Sequence, residues 1–259
     1  MKLRIVPART GVQWFKQGVR TFLKQPLALS GLFFMFMASI SVLSMLPLVG
    51  NVLALGLLPA ATLGLMVATE ETTKGKFPMP VVLLSAFRAG RSQLRAMLIL
   101  GAVYALGFLL VLGISATVDG GKFAQLYLHS GGTSAETVLD ADFEMAVLLA
   151  MALYLPLSLL FWHAPALVYW HGVSPAKSLF FSLVACLRNF GAFTVYSLVW
   201  LGAFVAMGVL VALIATAIGN PDALGGIMFP LAMVLAAMFF TSIYFSFHDC
   251  FDNTTGDLP

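Results

Sequence analysis

"QPLALSGLFFMFMASISVLSMLPLVGNVLALGLLPAATLGLMVAT", residues 25–69, runs 45 residues from Lys24 to Glu70 without a charge. A membrane-spanning helix needs about 20 apolar residues, so this one run holds two. Pro47 and "VGN" at 49–51 divide it into a tight helical hairpin. Outward from it, further uncharged runs lie at 96–118, 145–176 (histidines counted neutral), 189–221 and 223–248. These runs predict an all-α integral membrane fold with six spans, at 27–47, 51–69, 95–118, 145–170, 194–217 and 227–247, in one polytopic domain covering 1–259. Composition agrees. Apolar residues make up 60% of the chain and charged residues 10%, against about 45–50% and ~25% in soluble domains.

The basic residues predict the orientation, because cytoplasmic flanks retain lysine and arginine during insertion. Thirteen of the fourteen fall before span 1, between spans 2 and 3, or between spans 4 and 5, leaving Lys122 alone on the other side. Both termini are therefore expected on the cytoplasmic side. The loop at 119–144, with Asp119, Glu136, Asp140, Asp142 and Glu144, is expected outside. The net charge of +3 is thus a topology signal and gives no reason to expect a nucleic-acid partner. A polar stretch precedes the first apolar run and no short h-region ends in a cleavage site, so no cleavable signal peptide is expected. Cys186 and Cys250 fall on the reducing side, where a disulfide is not expected.

Ahead of span 1, Val12, Phe15, Val19, Phe22 and Leu23 fall within about a 100° helical arc, with Gln13, Lys16, Gln17, Arg20 and Lys24 on the adjoining arc. This pattern predicts an interfacial amphipathic helix at 10–25 whose cations favour anionic lipid. The two basic connections also resemble each other. "LLSAFRAGRSQLRAM" from Leu83 and "FFSLVACLRNFGAFT" from Phe180 set Ser85 against Ser182 and Arg91 against Arg188. The match predicts a weak parallel internal repeat of span, short cytoplasmic helix, span.

"FWHAPALVYWHGVSP", residues 161–175, interrupts the fourth span. Pro156 and Pro165 each remove a helical hydrogen bond, and freed carbonyls in hydrocarbon need protein around them. A kinked helix and a protein-facing His163 are expected. The histidine is either part of a ligand path or a neutral group bonded to a neighbouring span, with Trp162, Tyr169, Trp170 and His171 as an aromatic belt. Arg88, Arg91 and Arg95 share a helical face within about 60°, which suits either a lipid phosphate or topology alone. Gly56, Ala60, Gly64 and Ala68, and again Gly202 and Ala206, form small-residue ladders expected to be helix-packing seams, with a homo-oligomer face as the other reading. Thirteen methionines form no thioether ladder, and "HDC" at 248–250 lacks a second cluster to complete a metal site. No Walker loop, nucleophile elbow or HExxH is present. No metal, cofactor or catalytic residue is expected.

The segments "IVPARTGVQWFKQGVRTFLKQPLAL", "FWHAPALVYWHGVSPAKSLFFSLVACLRN" and "SIYFSFHDCF" resemble recurring segments of a family of uncharacterised, six-span proteobacterial inner-membrane proteins. More distantly, "AP" plus "SPAKSLFFS" is similar to the membrane domains of some bacterial glycerophosphodiester phosphodiesterases, although their catalytic domain is absent. The resemblance implies a multi-pass protein of the bacterial inner membrane and implies no activity. The functional expectation is non-enzymatic binding or movement of a small or lipid-like molecule, with His163, Arg88, Arg91 and Arg95 as the polar groups that would touch it. The alternative is a membrane scaffold that assembles with another inner-membrane protein.

Overall fold

In the computed structural model the described residues are 2–47, 49–128, 140–219 and 223–251, the side chains of 223–225 excepted. Among these residues six helices are long and apolar enough to cross a membrane: Pro26–Ser44, Gly50–Thr73, Arg91–Asp119, Ala141–His171, Phe190–Ile218 and Gly226–Cys250. They are the first to sixth spans below. Among the described residues no strand forms, and a single isolated bridge pairs Leu3 with Phe251. The chain divides into two compact units, one of Met1–Ala38, Ala61–Arg88 and Val184–Pro259, the other of Ser39–Ala60 and Ala89–Leu183.

In the first unit the helix Thr10–Lys24 lies against the fifth and sixth spans. Its buried residues, Thr10, Gly11, Trp14, Gly18, Thr21 and Phe22, occupy an arc beside the one anticipated. The helix therefore has three faces at 100° per residue. A small-residue face meets protein, the arc of Val12, Phe15, Val19 and Leu23 stays partly or wholly exposed, and Lys16, Arg20 and Lys24 form the charged third. Two glycines allow the close approach: a Cβ at Gly11 would run into the Ala192 carbonyl, and one at Gly18 into Ser242. Trp14, fully buried, packs on Phe193 and Tyr196 at 5.1 and 5.9 Å between ring centroids. Its indole N–H donates to Asp249 Oδ2 at 2.9 Å, so the aspartate of "HDC" anchors this helix.

Asn189 holds the segment before that helix. Its Oδ1 accepts from Val6 N at 2.8 Å, and its Nδ2 donates to Arg4 O at 3.1 Å and Ala185 O at 3.0 Å. One side-chain amide thus pairs with an extended backbone as a neighbouring strand would. Cys186 and Cys250 are buried and are not joined in a disulfide, and burial pushes the Cys186 thiol up to about 12, which keeps it protonated at neutral pH.

In the second unit the third span packs along the fourth. Gly56 faces Gly101 so closely that a Cβ on Gly101 would strike the Gly56 carbonyl. Asp119 ends the third span by accepting from Gly121 N at 2.8 Å and Phe123 N at 2.7 Å, and Gly120 takes the left-handed conformation at φ +67°. A short helix, Lys122–Leu128, follows, and Asn51 Nδ2 donates to its last carbonyl at 2.7 Å. The loop residues 129–139, with Glu136, lie outside the described residues.

The two short helices between spans are unequal. Residues Pro80–Leu84 form a 3-10 turn followed by a single α-turn, Ser85–Arg88, whereas Pro175–Arg188 is a helix of 14 residues.

Candidate functional site: a basic pocket at the start of the third span

The third span begins at Arg91 because Gly90 takes φ +116°, a conformation that side chains disfavour. The first bond of the new helix runs from Leu94 N to Gly90 O at 2.9 Å. The amides of Arg91, Ser92 and Gln93 are left without intrahelical acceptors, at the positive end of a 29-residue helix. The fourth span approaches the same place through its tail. Helix Ala164–His171 is closed by Gly172 at φ +62°, with Val173 N donating back to Leu167 O at 3.3 Å. This closure of a helix on a left-handed glycine turns the chain into Ser174 and Pro175, where a second helix begins. Its first bond is Ser178 N to Ser174 O at 2.9 Å. Pro175 lacks an amide and costs nothing at that position.

A pocket of about 530 Å³ lies between these parts, lined by Arg91, Ser92, Gln93 and Arg95 on one side and Gly172, Val173, Ser174 and Pro175 on the other. Ala96, Ile99 and Val168 form its apolar wall. Two helix N-termini and two guanidinium groups therefore border one cavity. Each of these features favours an anion, and a guanidinium grips phosphate through paired N–H groups. The apolar wall adds a surface that an inorganic ion would leave unused.

The anticipated arginine row is corrected here. Arg88 ends the turn Ser85–Arg88, Gly90 breaks the helix, and only Arg91 and Arg95 belong to the third span. The face shared by three arginines becomes a face shared by two. The pocket side formed by 172–175 was missed in the sequence. Its visible signal is the glycine that follows the "LVYWH" turn and is followed at once by "VSP", which reads as a helix end set directly before a helix start.

His163 is elsewhere, fully buried at the break in the fourth span. The helix passes Pro156 without interruption, ends at Phe161 and resumes at Ala164. Ser182 of helix Pro175–Arg188 enters the gap: its hydroxyl accepts from His163 N at 2.9 Å and donates to Leu159 O at 2.8 Å. In an unbroken helix, His163 N would bond to Leu159 O directly. The serine hydroxyl restores that link through one intervening atom, an insertion of the kind that bends helices. This bridge engages the backbone of His163 and not the imidazole, for which a neighbouring span was anticipated.

The small-residue ladders separate into two kinds. Ala60 and Ala68 are buried, Gly56 meets Gly101, and a Cβ on Gly64 would come within 2.8 Å of the Leu83 Cα. Gly202 and Ala206 are exposed, and a Cβ on Gly202 would meet nothing within 4 Å. As a packing seam within the described chain, the second ladder is corrected. Among the described residues no group of three or more His, Cys, Asp or Glu is placed to hold a metal.

Comparison with known proteins gives one informative relationship. A probable inner membrane protein of Burkholderia thailandensis, BTH_II0599, is 36% identical over 254 residues, which cover 97% of this chain and 94% of that protein. No family model matches the chain. No solved structure matches it.

Proposed function

The chain belongs to the family of that multi-pass bacterial inner-membrane protein, and from this premise we propose that it binds a phosphate-bearing, lipid-like molecule in the pocket bordered by Arg91, Arg95 and residues 172–175. The observation that carries the reading is the meeting of two helix N-termini and two arginines at one cavity. The wall of Ala96, Ile99 and Val168 favours a ligand with an apolar portion over free phosphate. The reading is one of binding without chemistry. It includes an orientation: the distribution of lysine and arginine favours the cytoplasmic side for this pocket and both termini, next to the anionic leaflet.

Exchange of both pocket arginines for lysine separates binding from topology, because lysine keeps the charge and removes the planar fork. In native mass spectrometry of the purified protein, R91K/R95K should insert normally and retain about tenfold less phosphatidylglycerol than the parent, with phosphatidylcholine and free phosphate as comparison ligands. Equal retention of phosphatidylglycerol sinks the proposal. Orientation has its own test. A reporter active only outside the cytoplasm should work when fused after Thr133 and stay silent after Lys76, Lys177 or Pro259. Activity after Lys177 overturns the arrangement.

The scaffold reading rests on a different observation, the outward-facing Gly202 and Ala206 on the fifth span. Small residues there would let a second transmembrane helix approach. The distant similarity to phosphodiesterase membrane domains stays within this proposal. The "SPAKSLFFS" segment that carries it supplies Ser174 and Pro175 to the pocket.

A further inference from the structure

A cavity of about 380 Å³ lies beside the third span, toward its Asp119 end, within the second unit. Its size falls within the range of small-molecule sites. Its walls carry five aromatic rings, those of Tyr104, Phe108, Phe123, Tyr127 and Tyr154, and no charged side chain lines it. The rings are set against one another. Phe108 stands edge-on to Tyr127 at 5.6 Å and to Tyr154 at 6.0 Å, and Phe123 edge-on to Tyr127 at 5.3 Å.

Three of these rings are tyrosines, and two of their hydroxyls form a pair. The Tyr104 and Tyr154 hydroxyls are 3.3 Å apart. A pair of hydroxyls shares one hydrogen and keeps the other to donate. Tyr104 is the fourteenth of the 29 residues of Arg91–Asp119, about 20 Å from either end at 1.5 Å per residue, so the pair lies at the midpoint of a helix that crosses a hydrocarbon core about 30 Å thick.

That depth selects the occupant. An acyl chain of an ordinary lipid brings no hydrogen-bond acceptor to mid-bilayer, because its oxygens stay at the interface. A ring carbonyl dissolved in the hydrocarbon does bring one, and aromatic walls receive a ring edge-to-face or offset. We infer that this cavity is a second ligand site, which takes a neutral, membrane-dissolved molecule with a ketone-bearing ring, of the quinone class, hydrogen-bonded by the Tyr104–Tyr154 pair. It stands apart from the phosphate pocket in position and in chemistry.

The full chain in lipid nanodiscs, compared with empty nanodiscs of the same lipid, provides the test, with ubiquinone-1 as the ring probe and 1-dodecanol as an alkyl probe with one oxygen. The protein should retain ubiquinone-1 beyond the empty discs and show no such excess for dodecanol. Tyr104→Phe together with Tyr154→Phe keeps the rings and removes both hydroxyls. That variant should weaken ubiquinone-1 binding about fivefold, the equivalent of one hydrogen bond. Val147→Trp, which fills the cavity from its wall, should abolish the excess while the thermal midpoint stays near that of the parent. Should that variant fail to fold, the phenylalanine pair and the probe comparison still decide. No excess over empty discs, equal excess for dodecanol, or unchanged binding in the double phenylalanine variant overturns the inference. R91K/R95K should leave ubiquinone-1 retention unchanged, so failure of the phosphate proposal is read separately.

Discussion

Ser85 and Ser182 occupy matching places in the two basic connections, yet Ser85 donates to the Val82 carbonyl three residues back, whereas Ser182 joins the two ends of a broken span. The same divergence recurs a few residues on. Asn189 spends its amide on Val6, Arg4 and Ala185, while its counterpart Ser92 lies at the wall of the basic pocket. One connection uses these side chains to tie together backbone segments distant in sequence, whereas the other keeps Ser85 within its own turn and Ser92 at a cavity. Similar sequence thus sets where a polar group lies, and its neighbours in space decide whether it serves stability or binding.

Alanine substitutions put this contrast at risk. The largest effect is expected from Ser182→Ala, which takes the bridge from the buried His163 N–H and the part-buried Leu159 carbonyl and should cost about 2–3 kcal/mol. Ser85→Ala removes only a local bond and should cost less than about 0.5 kcal/mol. Equal losses in a denaturation series would show that the matching serines do the same work. Next in size, Asn189→Ala should cost about 2 kcal/mol by releasing the segment at Arg4–Val6. Ser92→Ala should leave the unfolding midpoint in place and lower phosphatidylglycerol retention about twofold. A stability loss in Ser92→Ala as large as in Asn189→Ala would erase the distinction.

The smallest effect belongs to the far end of the third span, where the exposed Lys122 ammonium donates to Asp140. Chiefly through that hydrogen bond, the Asp140 carboxyl is held below the usual carboxylate range and the Lys122 ammonium above its ordinary range. The aspartate's contribution is present above its unfolded pKa, near 3.9, and is lost as pH falls through its lowered folded value. The lysine's contribution is present below its unfolded pKa, near 10.4, and is lost as pH rises through its raised folded value. Asp140→Asn should therefore lower the thermal midpoint slightly between about pH 5 and 9, where both contributions are present, and leave it unchanged at the acid and alkaline extremes. A large drop at pH 7 would mean that this pair matters more than exposed ion pairs do.

Much of the fold was legible because spans are written in composition: an uncharged run of sufficient length has few alternatives in a bilayer. The site was legible only in fragments. Arg91 and Arg95 could be placed at the basic end of a span, but the break at Gly90 that separates them from Arg88 depends on one backbone conformation. The ladders at Gly56 and Gly202 read alike, since spacing reports that a backbone can approach and is silent on what approaches. Gly101 turned out to be the partner of the first, and nothing in the described chain faces the second. Ser182 was noticed for its match to Ser85. Its bonds to residues 19 and 23 positions earlier depend on tertiary placement that no local pattern encodes.

Trp14 and Asp249 are 235 residues apart in sequence, and this separation has a consequence for biogenesis. Insertion proceeds span by span as the ribosome delivers the chain, so the N-terminal helix is made long before its seat on the fifth and sixth spans exists. During synthesis its tryptophan and its two close-contact glycines therefore lack their packing partners until the fifth and sixth spans have been made. The head-to-tail clasp of Leu3 with Phe251 and Trp14 with Asp249 can close only after the last span has entered the membrane. A chain interrupted before that point would carry an unseated helix at its front. The cell's proteases could recognise such an unfinished copy by that end.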